Sequence, residues 1–105
     1  MYAAASRFEL HVPESRSLKQ KRAVLRPIIE GIRSRFRVSV AEVGYHDQWQ
    51  RSAIAVAVVA ESAGRLEEVL TSVERFVAFA RDIELLEVET TYLDGGGVLA
   101  AEDTT

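Results

Sequence analysis

The chain has 105 residues, of which 48% are hydrophobic and 28% charged, with a formal net charge of -3. This length fits a single domain, and the composition is too apolar for an intrinsically disordered chain. The absence of cysteine excludes disulfides, thiolate metal sites and cysteine nucleophiles. The longest apolar stretch, residues 53–60, is far shorter than the roughly 18 to 20 residues of a membrane-spanning helix. No signal peptide is visible, so we expect a cytoplasmic protein with no membrane association.

Charge is distributed unevenly along the chain. Residues 1–51 carry ten Lys/Arg and five Asp/Glu, a balance of +5, whereas residues 52–105 carry three and eleven, a balance of -8. Such a division predicts that one surface meets an anionic partner while the acidic remainder keeps the protein soluble. The alternative is an ordinary scatter of charges over two amphipathic helices.

Hydrophobic periodicity predicts the first strand and the first helix. Residues 2–12 alternate between apolar and polar side chains, which is the period of a half-buried strand. Ser17 and Gln20 have the spacing of a capping box, so we expect a helix to begin at Leu18. Its apolar stripe consists of Leu18, Leu25, Ile28, Ile29, Ile32 and Phe36. Pro27 lies inside this stripe, and because the stripe keeps its phase we expect a kink rather than two helices.

The remaining pattern predicts two strands, a helix and a final strand. Residues 38–45 and 52–60 are rich in β-branched side chains and are typical of strands. Ser62 can cap a second helix, and residues 83–93 form the fourth strand. The buried stripe of that helix consists of Leu66, Val69, Leu70, Val73, Phe76, Val77 and Ala80.

The order β-α-β-β-α-β predicts an α+β, ferredoxin-like fold: a four-stranded antiparallel sheet in the order 4-1-3-2 with two helices on one face. We expect one domain of residues 1–93, followed by a flexible tail of residues 94–105 that opens with Asp-Gly-Gly-Gly. In this topology three segments meet at one edge of the sheet, namely residues 13–22, 45–51 and 81–82.

The first helix carries a ridge of cations beside its apolar stripe. At about 100° per residue, five of them fall within roughly 60° of one another: Lys19, Arg22, Arg26, Arg33 and Arg37. Lys19, Lys21 and Arg22 crowd the first turns, where the helix dipole disfavours cations by about 0.3 to 1 kcal/mol each. Because stability alone favours glutamate there, we predict an anion-binding surface with phosphate as the ligand. The alternative is an ordinary solvated helix face.

The turn between the second and third strands contributes further candidate residues. Tyr45 and Trp49 are suited to stacking on bases, although our preferred interpretation of Trp49 is that it folds over the end of the sheet and covers the core. The predicted nucleic-acid or anion-binding residues are Arg16, Lys19, Lys21, Arg22, Arg26, Trp49 and Arg51.

We expect neither a metal site nor an active site. His11 and His46 should lie near the same edge, but no cluster of carboxylates accompanies them, and Asp47 is interpreted as a turn residue. An acylphosphatase-like hydrolase on this fold would need an anion-cradling arginine in the first loop, which Arg16 could mimic, and an asparagine that positions water. The chain contains no asparagine. We therefore expect a nonenzymatic protein without a cofactor.

The sheet face opposite the helices is the second candidate surface. It would carry Arg7, Glu9, His11, Ala55, Ala57, Glu87 and Glu89. The central strands lack the aromatic residues on which RNA-recognition motifs stack bases. Small residues suit close packing against another subunit, so the alternative function is protein interaction or homodimer formation through this face.

Three segments carry a family resemblance: residues 13–22 (PESRSLKQKR), 38–43 (VSVAEV) and 47–51 (DQWQR). Through them, residues 1–93 resemble the YlxP-like family of small bacterial proteins of unknown function. The resemblance implies a ferredoxin-like fold. Genes of this family often lie among those for transcription elongation, translation initiation factor 2 and ribosome-binding factor A, so the resemblance also implies an accessory factor linked to the ribosome or to RNA. It implies no catalytic residue.

Overall fold

A computed structural model describes residues 1–93 of the chain. The elements in chain order are β1 (Tyr2–His11), α1 (Leu18–Phe36), β2 (Ser39–Gly44), β3 (Arg51–Ala60), α2 (Ala63–Ala78) and β4 (Glu84–Leu93). The predicted tail, residues 94–105, lies outside the described residues.

The four strands form one sheet in the order β2-β3-β1-β4, and every neighbouring pair is antiparallel. This confirms the predicted strand order. β1 lies at the centre and pairs with β3 along its whole length, from Tyr2 opposite Ala60 to His11 opposite Arg51. Because His11 is also opposite Glu84, the end of β1 and the starts of β3 and β4 lie at the same edge of the sheet.

One face of the sheet packs against the two helices. The alternation predicted for β1 is observed, since Ala4, Ser6, Phe8 and Leu10 are buried on this face. The helices contribute one residue from every turn or so to the same core. The core side chains that are at most 2% exposed include Phe8, Leu10, Leu25, Ile32, Ile54, Val56, Val73 and Val77.

The first helix begins at the predicted residue and is continuous through Pro27. Ser17 Oγ accepts the N–H of Gln20 at 3.1 Å, as the capping box requires. In a capping box the Gln20 side chain would accept the N–H of Ser17. Here its Oε1 accepts the N–H of the preceding residue, Arg16, at 2.6 Å. The helix is followed by Arg37, whose left-handed backbone (φ 55°) turns the chain toward β2.

The loop after β1 and the turn between β2 and β3 lie against each other. The N–H of Val12 donates to the carbonyl of Gln50 at 2.9 Å. The Gln50 side-chain amide in turn donates to the carbonyls of Pro13 (3.3 Å) and Ser15 (3.1 Å). These bonds confirm that the segments 13–22 and 45–51 converge at one edge of the sheet.

Candidate nucleic-acid interface

Four of the seven predicted residues are exposed on α1 or in the loop before it: Arg16, Lys19, Arg22 and Arg26. Arg33 is exposed further along the same helix. Within residues 1–93, no carboxylate lies within 4.0 Å of any of these five side-chain cations. The described part of the chain therefore leaves their charges available to an external anion. We call these five residues the basic surface.

Part of the basic surface lines a depression between α1 and β2. This depression has a volume of about 240 Å³, and its lining consists of Arg22, Leu25, Arg26, Ile29, Glu30, Arg33 and Glu42. Arg33 also donates from Nη2 to the carbonyl of Val40 at 3.3 Å, which holds its guanidinium against the edge strand. Three guanidinium groups and two carboxylates thus surround an apolar floor, and the balance of charge is positive.

Lys21 is not part of this surface, and its predicted role in anion binding is wrong. Its side chain is only 1% exposed. The ammonium donates to the carbonyls of Tyr45 (2.8 Å) and Arg51 (3.1 Å), and it lies 3.1 Å from Glu42 Oε2. Three acceptors use all three N–H donors of a lysine, so no donor remains for a phosphate. Lys21 instead ties the start of α1 to both ends of the β2–β3 turn.

The Arg51 side chain lies on the face of the sheet opposite the helices. It is therefore not part of the basic surface, although it was predicted to bind anions with the residues of α1. Its Nη2 donates to Glu9 Oε1 at 2.7 Å. The same Glu9 accepts a hydrogen bond from the Tyr45 hydroxyl (2.7 Å) and one from Arg7 Nη1 (2.9 Å). The Arg51 guanidinium also lies over the Tyr45 ring, 4.6 Å from its centroid. We call these four residues the Glu9 cluster.

The Glu9 cluster is held by its charges. Hydrogen bonds from the Tyr45 hydroxyl and from Arg7, together with the charge of Arg51, hold the pKa of the Glu9 carboxyl below its ordinary value of 4.5. The same pairing raises the pKa of Arg7. A carboxylate with a lowered pKa and three donors is poorly suited to act as a general base, so the cluster connects strands and does not resemble a catalytic pair.

Trp49 lies in the turn between β2 and β3, and 54% of its surface is exposed. The preferred interpretation that it covers the core is therefore wrong. The described core and the residues packed against it do not include Trp49. Its neighbour Gln50 contacts the loop that carries Arg16, which places the indole at the same edge of the sheet as the start of the basic surface.

Sequence reasoning placed Arg7 and Glu9 on the open face but missed their partner Tyr45. The two strand residues are two apart and so share a face. Tyr45 reaches them because its backbone is left-handed, with φ 60°. A tyrosine gives no sequence signal for that conformation, which is more often occupied by glycine or asparagine.

The described residues contain no group of three or more His, Asp or Glu side chains able to hold a metal ion. His11 contacts Glu84 instead, with 2.7 Å between Nδ1 and Oε1. Neither helix within residues 1–93 has the combination of length and apolarity needed to cross a bilayer.

Comparison with known proteins places the chain in a family. A family model described as "Protein of unknown function (DUF503)" matches residues 4–90. The chain belongs to this family. The uncharacterized protein YlxP of Bacillus subtilis (strain 168) is 38% identical to it over 76 residues, which is 72% of this chain and 83% of YlxP. The expected resemblance to YlxP-like proteins is thereby confirmed.

Solved structures confirm the fold. The de novo designed protein Foldit4 has a TM-score of 0.54 at 14% identity, and the match covers 90% of this chain and all of Foldit4 (100%). A second de novo designed protein, one with a ferredoxin fold, has a TM-score of 0.50 at 9% identity and covers 89% of this chain and 84% of its own. These likenesses, at such low identity, concern the ferredoxin-like architecture alone.

Proposed function

We propose that this protein is a nonenzymatic accessory factor that binds RNA, free or within the ribosome, through the basic surface on α1. The observation that carries the proposal is the set of exposed cations on α1 and in the loop before it that have no carboxylate partner among residues 1–93. Such a concentration of charge, in a chain whose net charge is -3, supports attraction of a polyanion to one side of the molecule.

The length of the basic surface favours a polyanion over a single phosphate. Lys19 and Arg33 are fourteen positions apart in α1, which at 1.5 Å per residue is about 21 Å along the helix axis. A single phosphate group cannot contact both ends of this surface, whereas a nucleic-acid backbone presents phosphates along its length. Arginine supports this role because its planar fork matches phosphate geometry with two parallel bonds.

Trp49 adds an aromatic group at one end of the basic surface. The exposed indole and the loop that carries Arg16 belong to segments joined by the Gln50 hydrogen bonds. An unpaired base that stacks on Trp49 would leave its backbone near Arg16 and the start of α1. This arrangement supports recognition of single-stranded RNA adjoining the phosphates held by the helix.

Binding to ribosomal RNA and to intact ribosomes tests the proposal. We expect the double variant Arg22→Glu/Arg26→Glu to weaken binding by about tenfold or more, because each lost phosphate contact removes an ion pair. The matched control is Arg65→Glu/Arg75→Glu, which makes the same change in net charge on α2. Wild-type affinity should fall linearly with salt concentration on logarithmic axes, and the α1 variant should show a shallower slope. Equal losses in both variants, or binding insensitive to salt, would contradict a specific role of the basic surface.

A second function is favoured by the open face of the sheet. The end of this face away from the Glu9 cluster is apolar, and its side chains remain exposed: Ala5, Ala57, Val59 (71%) and Leu93 (42%). Exposed apolar patches of this kind are typical of protein interfaces. We propose that this apolar end forms a homodimer contact. It lies across the sheet from the helices, so dimerisation and RNA binding are compatible.

A further inference from the structure

The outer side of the two helices carries a surface that the proposed RNA interface does not use. Phe79, the C-cap residue of α2, is 82% exposed and is the most exposed large hydrophobic side chain within residues 1–93. An exposed aromatic ring is informative when other apolar groups surround it, because a contiguous apolar patch on a soluble protein indicates a contact surface.

A groove adjoins Phe79. The Phe76 ring packs directly on α1 at Gly31, where a Cβ atom would lie only 2.7 Å from Phe76 Cζ. It meets Phe36 edge to face, with 5.9 Å between ring centroids. On either side of this contact the helices leave depressions of about 370 and 620 Å³, which share Phe76, Ala80 and Arg81. Their apolar lining further includes Ala23, Val24, Pro27, Ile28, Phe36 and Phe79. We call the two depressions together the interhelix groove.

The charged rim of the interhelix groove is cationic. Arg35, Arg75 and Arg81 line it, and Asp82 is the one carboxylate among its lining residues. In the described part of the chain, no carboxylate lies within 4.0 Å of these three guanidinium groups. Three guanidinium groups against one carboxylate make this rim complementary to an acidic partner.

We propose that the interhelix groove binds an acidic peptide segment of a partner protein. An aromatic or aliphatic side chain of that segment packs against Phe79 and the apolar lining, while its carboxylates pair with the three arginines. Charge complementarity selects an acidic ligand, and the apolar lining selects an apolar anchor, since removal of apolar surface from water is favourable.

The rings of the groove favour a peptide over an RNA base. Base recognition needs flat, accessible aromatic faces. The Arg35 guanidinium lies over the Phe76 ring, 5.0 Å from its centroid, and Phe36 packs against the same residue. Only Phe79 offers an open face. The aliphatic lining near Pro27 and Ile28 is covered better by an inserted apolar side chain than by a polar nucleobase.

Selection from a library of random peptides displayed on phage tests the proposal, with wild-type protein as bait and Phe79→Ser as the counter-selection. We expect enrichment of peptides in which Asp or Glu flanks Phe, Leu or another apolar residue. A synthetic peptide of the enriched sequence should bind Phe79→Ser and Arg81→Glu about tenfold or more weakly, because anchors and their charged neighbours dominate such contacts. The matched control, Val43→Ser, removes an exposed apolar side chain from β2, outside both proposed interfaces, and should retain full affinity.

Three outcomes would overturn the proposal: no enriched sequence, a basic enriched sequence, or peptides that bind Phe79→Ser as well as wild type. Binding of an oligouridylate that is lost in Phe79→Ser, without peptide enrichment, would assign the groove to RNA instead. Circular dichroism establishes that both variants are folded, as expected for exposed positions. Peptide binding should survive Arg22→Glu/Arg26→Glu, so this test and the RNA-binding test can fail independently.

Discussion

At the scale of single residues, two neighbouring lysines on α1 show how far side-chain type alone predicts a role. Lys19 is exposed, whereas Lys21 is 1% exposed and holds three acceptors. The signal that separates them is spacing. Lys21 precedes Leu25 by four residues and Ile28 by seven, so it occupies the buried stripe itself. Lys21 therefore occupies the first turns because its ammonium connects α1 to the turn between β2 and β3. Its unfavourable position in the helix dipole is not evidence of anion binding.

Lys21→Met should destabilise the fold by about 3 kcal/mol or more, because it leaves the largely buried Glu42 with Ser52 as its remaining donor. Urea denaturation measures the change in the free energy of unfolding. The second substitution Glu42→Leu should restore part of the loss, since it removes the unpaired charge. Lys19→Met, at an exposed position, should change stability by less than about 0.5 kcal/mol. Equal effects of the two lysine substitutions on the free energy of unfolding would contradict a stabilising role of the Lys21 contacts.

The Glu9 cluster predicts a pH dependence of stability. The pKa of the Glu9 carboxyl is lower in the folded state than its ordinary value of 4.5. The stability that the ionised carboxylate contributes is therefore fully present above pH 4.5 and is lost as the pH falls through the folded pKa. The melting temperature of the wild type should therefore fall more steeply below pH 4.5 than that of Glu9→Gln. Glu74→Gln, at an exposed position of α2 far from Glu9 in the sequence and in no ion pair within residues 1–93, is the matched control and should keep the wild-type profile. Identical acid profiles for Glu9→Gln and wild type would exclude the cluster as the source.

At the scale of elements, periodicity predicted every helix and strand and their order, because each element buries one face against the same core. The ends were less predictable. β2 was expected over residues 38–45 and spans Ser39–Gly44. The strand stops because Tyr45 has a left-handed backbone, as do Arg37 and Asp82 at other element ends. None of these three left-handed residues is itself a glycine, the residue that usually signals such a conformation.

The close contact between α1 and α2 depends on Gly31, which has no side chain and so leaves room for the Phe76 ring. A substitution can test this. Gly31→Ala supplies better helix propensity, worth up to about 1 kcal/mol, but places Cβ against the Phe76 ring. We expect a net loss of stability in the wild type and a gain in a Phe76→Leu background, where the ring is absent. Gly64→Ala is the control, because a Cβ there meets nothing within 4 Å, and it should stabilise α2. Thermal unfolding of the full cycle gives the coupling between the two positions. Additive effects would show that the ring and the glycine are independent.

At the scale of the whole molecule, the sheet separates two sides with different chemistry. The helical side carries the basic surface along α1 and the interhelix groove between α1 and α2. The open side carries the Glu9 cluster at one end and small apolar residues at the other. Composition predicted the excess of cations in the first half of the chain. Composition could not show that Lys21 and Arg51 form hydrogen bonds and ion pairs within the protein, because these contacts join residues up to 42 positions apart.

The division of the molecule into two sides leads to a prediction about assembly. If two copies pair through the apolar end of the open face, their helices lie on opposite outer sides, and each dimer presents two basic surfaces. Light scattering coupled to size-exclusion chromatography should then give a dimer mass for wild type. Ala57→Arg should give a folded monomer with an unchanged circular dichroism spectrum, because Ala57 is exposed within one chain and the new charge would be buried only in the dimer. Its melting temperature should be lower than that of the wild type and independent of protein concentration, since association no longer stabilises the folded chain.

Thr71→Arg is the matched control for this test, since it adds the same charge at an exposed position of α2 on the helical side. It should leave the dimer intact. The dimer also predicts that Ala57→Arg weakens binding to a long RNA carrying two sites more than binding to a short one, because two linked contacts raise the effective concentration of the second. A monomer mass for wild type at every concentration tested, with rapid hydrogen exchange along the apolar end of β3, would remove the homodimer. In that case the basic surface would act as a single site, and affinity for long and short RNA would respond equally to Ala57→Arg.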